Sequence, residues 1–362
     1  MDREQSTKQK PNTSVNEFSP PLRLNIDLGA IEHNWQMLSG LCGTSQTGAA
    51  VKADAYGLGS NQVSSRLYRA GCRDFFVAHW AEALELRGTV PAEQISVLNG
   101  VQQQDVLFAQ QLGAKPVLNS LQQAKLWKES GGGVCDLMID TGMNRLGIEA
   151  HDIETIRSFG LQIDVVMSHL ASADERSQQN DVQLSNFLEF SSSFPTSRKS
   201  LANSAAIALG SRFQFDLTRP GIALYGGTPR AELVSAIRNV VFPQARVCQI
   251  RTFAAGDRVG YNATFTASQP MSAAIVEIGY ADGYPRSLSN SGKFQMAGEP
   301  LTVIGRVSMD LTIVQLPENH TLREGDYLDV CFELETISEL SGRSPYEILT
   351  SLGRRFQRVY KT

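Results

Sequence analysis

Between Gly48 and Gly226 short apolar runs alternate with amphipathic segments, and this alternation restricts the fold more than any other feature of the chain. The runs are GAAVK (48–52), FFVAH (75–79), ISVLNG (95–100), PVLN (116–119), DLMID (136–140), IDVVMSHL (163–170), KSLANS (199–204) and FDLTRPGIALYG (215–226). The segments between them, such as QVSSRLYRAG, DVLFAQQLG and HDIETIRSFG, read as helices, several of them closed by a glycine just past the last turn. Strands separated by helices run parallel, because parallel neighbours need a crossover connection. Eight such units in roughly 200 residues predict a closed (β/α)8 barrel. An open doubly wound sheet is the alternative, but no GxGxxG follows an early strand. Ahead of the barrel runs, LRLNIDL (22–28) reads as a strand, with Asp27 as the N-cap of a helix ending near Gly43.

Near residue 235 the texture changes. VVFPQARVCQIRTF, SAAIVEIG, KFQMAG, LTVIGRVSMDLTIVQL and DYLDVCFE read as strands separated by polar, glycine-containing turns, and only TISELSGRSPYEILTSLG looks helical. The expected organisation is therefore a polar, disordered tail over residues 1–20, an α/β barrel over 21–234 and an antiparallel β-rich domain over 235–362.

Composition closes off several functions. Lys and Arg total 33 against 37 Asp and Glu, leaving no cationic excess for nucleic acid. No apolar run approaches the ~18 residues of a membrane span, and the N-terminus has no apolar signal core. The five cysteines are scattered without a CxxC pair, which reads as buried reduced thiols and suits the cytoplasm.

In a barrel of this kind, chemistry sits at the C-terminal ends of the strands. Those ends carry Lys52, Asn99, Arg145 just beyond Asp140, His169, Asn203 with Ser204, and Arg219. Singly, each has a plainer reading as a solvated charge or a satisfied structural histidine. Together at six strand ends they favour function, and they include no carboxylate cluster of metal-binding type. An amine at the end of a buried apolar strand is a poor charge site, so Lys52 is expected to have the depressed pKa of an imine-forming lysine. Ser204 at a helix start and the amides of Gly221 and Ile222 could hold a phosphate. A lysine and a phosphate site without a metal point to pyridoxal 5′-phosphate (PLP).

The motifs AVKADAYGLG, DTGMNRLG, NSAA, RPGIALYG, VGYNATF, IGYADGYPR and GRVSMD resemble those of bacterial alanine racemases, in the same order and over roughly residues 22–360. The resemblance implies a PLP-dependent racemase of alanine acting as a homodimer with composite active sites. Lys52 would hold PLP and serve as one base, and Tyr261 of the partner subunit would serve as the other. Tyr56, Asn203, Ser204, Gly221, Ile222 and Tyr360 would hold the cofactor, largely at its phosphate. Arg219 would meet the pyridine nitrogen, supported by His169, and Arg145 would approach the phenolic oxygen and the substrate. Tyr280, Met309 and Asp310 would reach the substrate end.

The sequence departs from the family at Met138, where a commonly carbamylated lysine usually stands beside the residue matching Arg145. That arginine is then expected to meet a bound anion such as chloride, a nearby carboxylate or water. Ser308 stands where many members have cysteine, and the HW of VAHWAEALELR is less usual. Competing readings are a racemase of serine or of a broader amino-acid range, a non-catalytic PLP-binding carrier and a PLP decarboxylase. The β-rich segment with Tyr261 argues against the carrier, and Arg219 at the ring nitrogen argues against the decarboxylase.

Overall fold

The computed structural model describes residues 18–362. The tail expected over residues 1–20 lies outside the described residues except for its last three. Of these, Ser19 and Pro20 meet the hydroxyl of Tyr327.

The strands are β1 (Leu22–Asp27), β2 (Gln46–Thr47), β3 (Ala49–Ala50), β4 (Phe75–Val77), β5 (Ile95–Val97), β6 (Lys115–Leu118), β7 (Cys135–Met138), β8 (Ile163–Met167), β9 (Arg198–Ser200) and β10 (Leu217–Thr218). β3 to β9 form one parallel sheet in chain order. β10 closes it. The amide of Asp216 donates to Lys199 O at 3.0 Å and that of Arg219 to Ala202 O at 2.8 Å, while Gly48 N reaches Thr218 O and Ala50 N reaches Pro220 O, both at 2.9 Å. β10 also pairs in parallel with β2. All eight apolar runs are therefore barrel staves. Their side chains explain why: Val77, Val97, Val117, Leu137, Val165 and Met167 are fully buried, and a strand covered on both faces has no use for polar alternation.

The opposite, N-terminal end of the barrel carries a buried ionic cluster. Lys115, at the start of β6, places Nζ 2.6 Å from Asp164 and 3.8 Å from Asp136. Arg198, at the start of β9, bridges Asp164 and Asp74 at 2.8 Å each.

The second half contributes β11 (Val241–Phe253), β12 (Arg258–Val259), β13 (Phe265–Thr266), β14 (Met271–Val276), β15 (Lys293–Met296), β16 (Glu299–Thr302), β17 (Thr312–Leu316), β18 (Tyr327–Val330) and β19 (Gln357–Lys361). The helices Leu334–Ser341 and Pro345–Thr350 fall where the sequence places its one helical stretch. LTVIGRVSMDLTIVQL is broken into β16 and β17 around a loop that includes Gly305 at φ 71°.

One assignment is corrected. The strand at 22–27, grouped by its position with the barrel segment, belongs to the other sheet, whose order is β16-β15-β18-β11-β1-β19. β1 pairs antiparallel with β11 and parallel with β19, so both ends of the described chain lie in one sheet. From β1 the helix Leu28–Leu41, capped by the Asp27 carboxylate on Ala30 N, packs back on the barrel through Ile31, Trp35 and Leu38. The cysteine reading also needs correction: Cys42, Cys72 and Cys135 are buried, but Cys248 is exposed and Cys331 half-buried. Among the described residues no helix is long and apolar enough to cross a membrane.

Candidate active site

A cavity of about 590 Å³ opens at the C-terminal ends of the barrel strands. Lys52 enters it directly from β3, whose last peptide is locked to the next strand by Val51 N on Phe76 O at 2.9 Å. Burial depresses the pKa of the Lys52 amine. The positive charges of Arg145 and Arg219 lower it further, and the carboxylate of Glu82 opposes them. The Lys52 side chain is half-buried, and its pKa moves in the direction expected for an amine at the end of a buried strand.

After Lys52 the chain makes a left-handed turn. Ala53, Asp54, Ala55 and Tyr56 all have φ between 52° and 57°, and none is glycine. Each such residue costs about 1–2 kcal/mol relative to the right-handed conformation. The turn carries Tyr56 back under the cavity, where its ring packs on Tyr225 at 4.7 Å and on Tyr346 at 6.1 Å. The Tyr56 hydroxyl abuts Cα of Gly221 so closely that any side chain there would collide with it.

Ser204 starts the short helix Ser204–Ala208, which Asn203 caps by accepting from Ala206 N at 2.9 Å. Its buried hydroxyl accepts from the amides of Gly221 at 2.9 Å and Ala223 at 3.2 Å. Ser204, Gly221, Ile222 and Tyr56 line one end of the cavity. Backbone amides, two hydroxyls and a position kept bare of side chain fit an oxygen-rich anionic group such as a phosphate.

Arg219 lies in the floor. Its guanidinium donates to Ser168 O at 2.5 Å and to Ser200 Oγ, and makes no ion pair among the described residues. Burial brings it down to about 10, with the field of Asp136 opposing that fall, so it stays cationic at neutral pH. Next to it His169 is pushed down to about 3, first by burial and then by the charges of Arg219, Arg145 and Lys52. His169 is therefore a neutral imidazole at any ordinary pH. Asn99, Met138, Asp140 and Arg145 line the remaining wall. Arg145 makes no ion pair among the described residues, and Asp140 Oδ1 is taken up by the amides of Gly142, Met143 and Asn144 at 2.9–3.2 Å.

Not every expected residue reaches this cavity within one chain. Tyr261 stands between β12 and β13, 69% exposed. Tyr280 and Met309 lie side by side, joined by Tyr280 N on Ser308 O and Ala281 N on Met309 O, and are 42% and 53% exposed. Asp310 is engaged by Arg355 at 2.7 Å, which also holds the buried Asp282. Tyr360 is a correction. On β19 it pairs with Ile26 of β1, and that register brings its hydroxyl to Gly59 rather than to the cavity. In its place the helix Pro345–Thr350 contributes Tyr346 and Thr350 to the lining. Sequence reasoning passed over both. The SP pair that opens this helix signals an N-cap, and nothing in it signals a cavity.

Two family models cover the chain: "Alanine racemase, N-terminal domain" matches residues 26–229 and "Alanine racemase, C-terminal domain" matches 240–360. The chain is 45% identical over 355 residues to the catabolic alanine racemase of Agrobacterium fabrum, covering 93% of this chain and 91% of the relative. It is 39% identical over 378 residues to the biosynthetic alanine racemase of the same organism, covering 97% and 96%. A crystal structure of alanine racemase from Bartonella henselae with covalently bound pyridoxal phosphate superposes with a TM-score of 0.88 at 36% identity, covering 95% of this chain and 100% of that one.

Proposed function

The chain belongs to the alanine racemase family and interconverts L- and D-alanine with PLP, and we propose that the Cα proton moves between Lys52 on one face of the substrate and Tyr261 of a partner subunit on the other. When bound, the cofactor supplies an electron sink for the pair left on Cα as the proton departs. The observation that carries the assignment is the meeting of Lys52, His169, Arg219 and the Ser204–Gly221 cradle around one cavity at the strand ends.

Each residue has a task its surroundings fit. Lys52 would hold the cofactor covalently and would accept the proton on its own face; burial and the nearby arginines lower its pKa, which favours the neutral amine that a base requires. Ser204, Gly221, Ile222 and Tyr56 hold the phosphate. Arg219 offers only donors, so a ring nitrogen that it meets keeps its lone pair. His169, neutral and lining the same cavity, would support Arg219 without adding charge.

Tyr261 supports a composite site. One chain's cavity has one lysine amine, while Tyr261, Tyr280 and Met309 stand exposed on the second half of the fold. An isologous homodimer would bring these side chains of each subunit over the other's cavity and cover them.

The test is a panel of L-amino acids assayed for loss of optical activity with added PLP. Inversion of alanine far above serine and the rest is expected; inversion of another amino acid ahead of alanine would overturn the substrate. Mixing inactive Lys52→Ala and Tyr261→Ala chains should restore activity once hetero-dimers form. No recovery in demonstrated hetero-dimers would sink the shared site.

A further inference from the structure

We propose that Glu82 is a positioning residue for Lys52: its carboxylate ties the peptide that follows Lys52 to the end of the neighbouring strand, and so fixes where the amine stands in the cavity. The proposal rests on the reading of Lys52 as the amine that takes the proton.

Glu82 lies in the helix Trp80–Glu85, which begins three residues after β4. Its Oε1 accepts from Ala53 N at 2.7 Å. Its Oε2 accepts from Ala78 N at 2.6 Å and His79 N at 3.3 Å. One carboxylate thus takes three backbone N–H donors from two adjacent strand ends, in the charge-assisted form that is the stronger kind of hydrogen bond. Helix capping explains only part of this. A capping box needs the bond to His79 N; the bond to Ala53 N does nothing for the helix.

Ala53 N belongs to the Lys52–Ala53 peptide, so gripping it sets ψ of Lys52 and with it the direction the lysine takes off β3. It is also the first N–H of the left-handed turn. Strained conformations of this sort persist only where the surroundings over-determine them. The turn is also tied by Ala55 N on Val51 O at 2.8 Å, Gly59 N on Asp54 O at 2.9 Å and Ser60 N on Asp54 Oδ1 at 2.7 Å, and at its exit Arg358 of β19 donates to Gly57 O at 2.7 and 2.9 Å. Glu82 grips its entrance from a separate element. It is also the carboxylate whose charge acts on Lys52 against Arg145 and Arg219.

The variants are Glu82→Gln and Glu82→Asp, with Glu85→Gln on the same helix as the control. Glutamine keeps one acceptor and turns an NH2 toward one set of N–H donors, which unties one strand. Aspartate keeps the charge but is one methylene short of spanning both. The holoenzyme of each is assayed with protio and Cα-deuterated alanine in both directions, alongside thermal unfolding and cofactor content. The enantiomers are mirror images, so their equilibrium constant is one and kcat/KM must fall equally in both directions; the asymmetry is therefore read in the isotope effects. A misplaced amine should lower kcat/KM about tenfold or more. The primary isotope effect should rise for the enantiomer whose proton Lys52 takes and fall toward one for the enantiomer whose proton Tyr261 takes, because the slowed Lys52 step then limits both directions. Glu85→Gln should match the parent. Unchanged rates overturn the proposal, and so does a loss that tracks folded or cofactor-loaded fraction with parent isotope effects. Borohydride fixation and peptide mapping separate the two levels. Cofactor fixed on Lys52 with unmoved isotope effects overturns the role of Glu82 alone, whereas cofactor fixed elsewhere overturns the reading of Lys52 and this proposal with it.

Discussion

Replacing Lys115 with methionine should destabilise the barrel by about 3–5 kcal/mol, the cost of removing one partner from a buried charge pair. Lys115 is 4% exposed and Asp136 has no exposure at all. Asp164 would keep Arg198 at 2.8 Å. Asp136 would keep only the Ser96 hydroxyl at 2.6 Å and the Val165 amide at 3.1 Å, with no cation in contact. The loss should therefore come almost wholly from one orphaned carboxylate. If so, neutralising it restores stability. In Lys115→Met with Asp136→Asn, the amide oxygen can still accept from Val165 and its NH2 can donate to Ser96. Most of the deficit should return, leaving about 1–2 kcal/mol for imperfect packing and hydrogen bonding. Urea unfolding at fixed PLP concentration measures this, since a bound cofactor itself shifts the midpoint. The cluster lies at the strand starts, away from the cavity, so Lys115→Met should keep its activity per folded molecule. A double variant as unstable as Lys115→Met, or more so, would refute the reasoning, because the deficit would then not reside in the charge.

The same cluster predicts acid sensitivity. Burial raises the Asp164 carboxyl, but Arg198 and Lys115 outweigh it and hold the group at about 2 against an ordinary 3.8, so this stability is present above pH 4 and fades as pH falls toward 2. Asp164→Asn should lose about 2 kcal/mol at neutral pH and show a flatter acid limb in pH-dependent unfolding. Gly221→Ala drives a methyl into the Tyr56 hydroxyl, which Tyr225 backs from behind; PLP titration should show weaker binding, with about 1–3 kcal/mol of stability lost to overpacking. Met138 cannot be carbamylated and Arg145 has no ion-pair partner among the described residues, so activity should ignore bicarbonate and rise with halide; bicarbonate dependence would contradict this.

The barrel and half of its site were legible because they are local. Each apolar run is one buried strand, and the polar residue that ends it is the one delivered to the cavity; Lys52, His169, Ser204 and Arg219 could be found by reading along the chain. The second sheet was legible as strands but not as a pairing. β1 looks like a first barrel strand because its alternation is strand-like and a capped helix follows it, yet its partners β11 and β19 are more than 200 and 300 residues away and no local pattern encodes them. The same remoteness displaced Tyr360, whose fate follows from the β1–β19 register, and hid Tyr346 and Thr350.

The turn after Lys52 shows most sharply where local rules stop. ADAY has no glycine and no asparagine, so every propensity argues against four successive left-handed residues. The conformation exists because remote groups demand it: Tyr225 and Tyr346 receive the Tyr56 ring, Gly221 leaves room for its hydroxyl, and Glu82 takes the first N–H. A right-handed or extended continuation would satisfy Ala53, Asp54 and Ala55 individually, but it would carry Tyr56 away from the Ser204–Gly221 cradle. The local penalty and the contacts that override it are thus spent on one outcome, which is to set an amine and a phenol at the same cavity from residues only four apart.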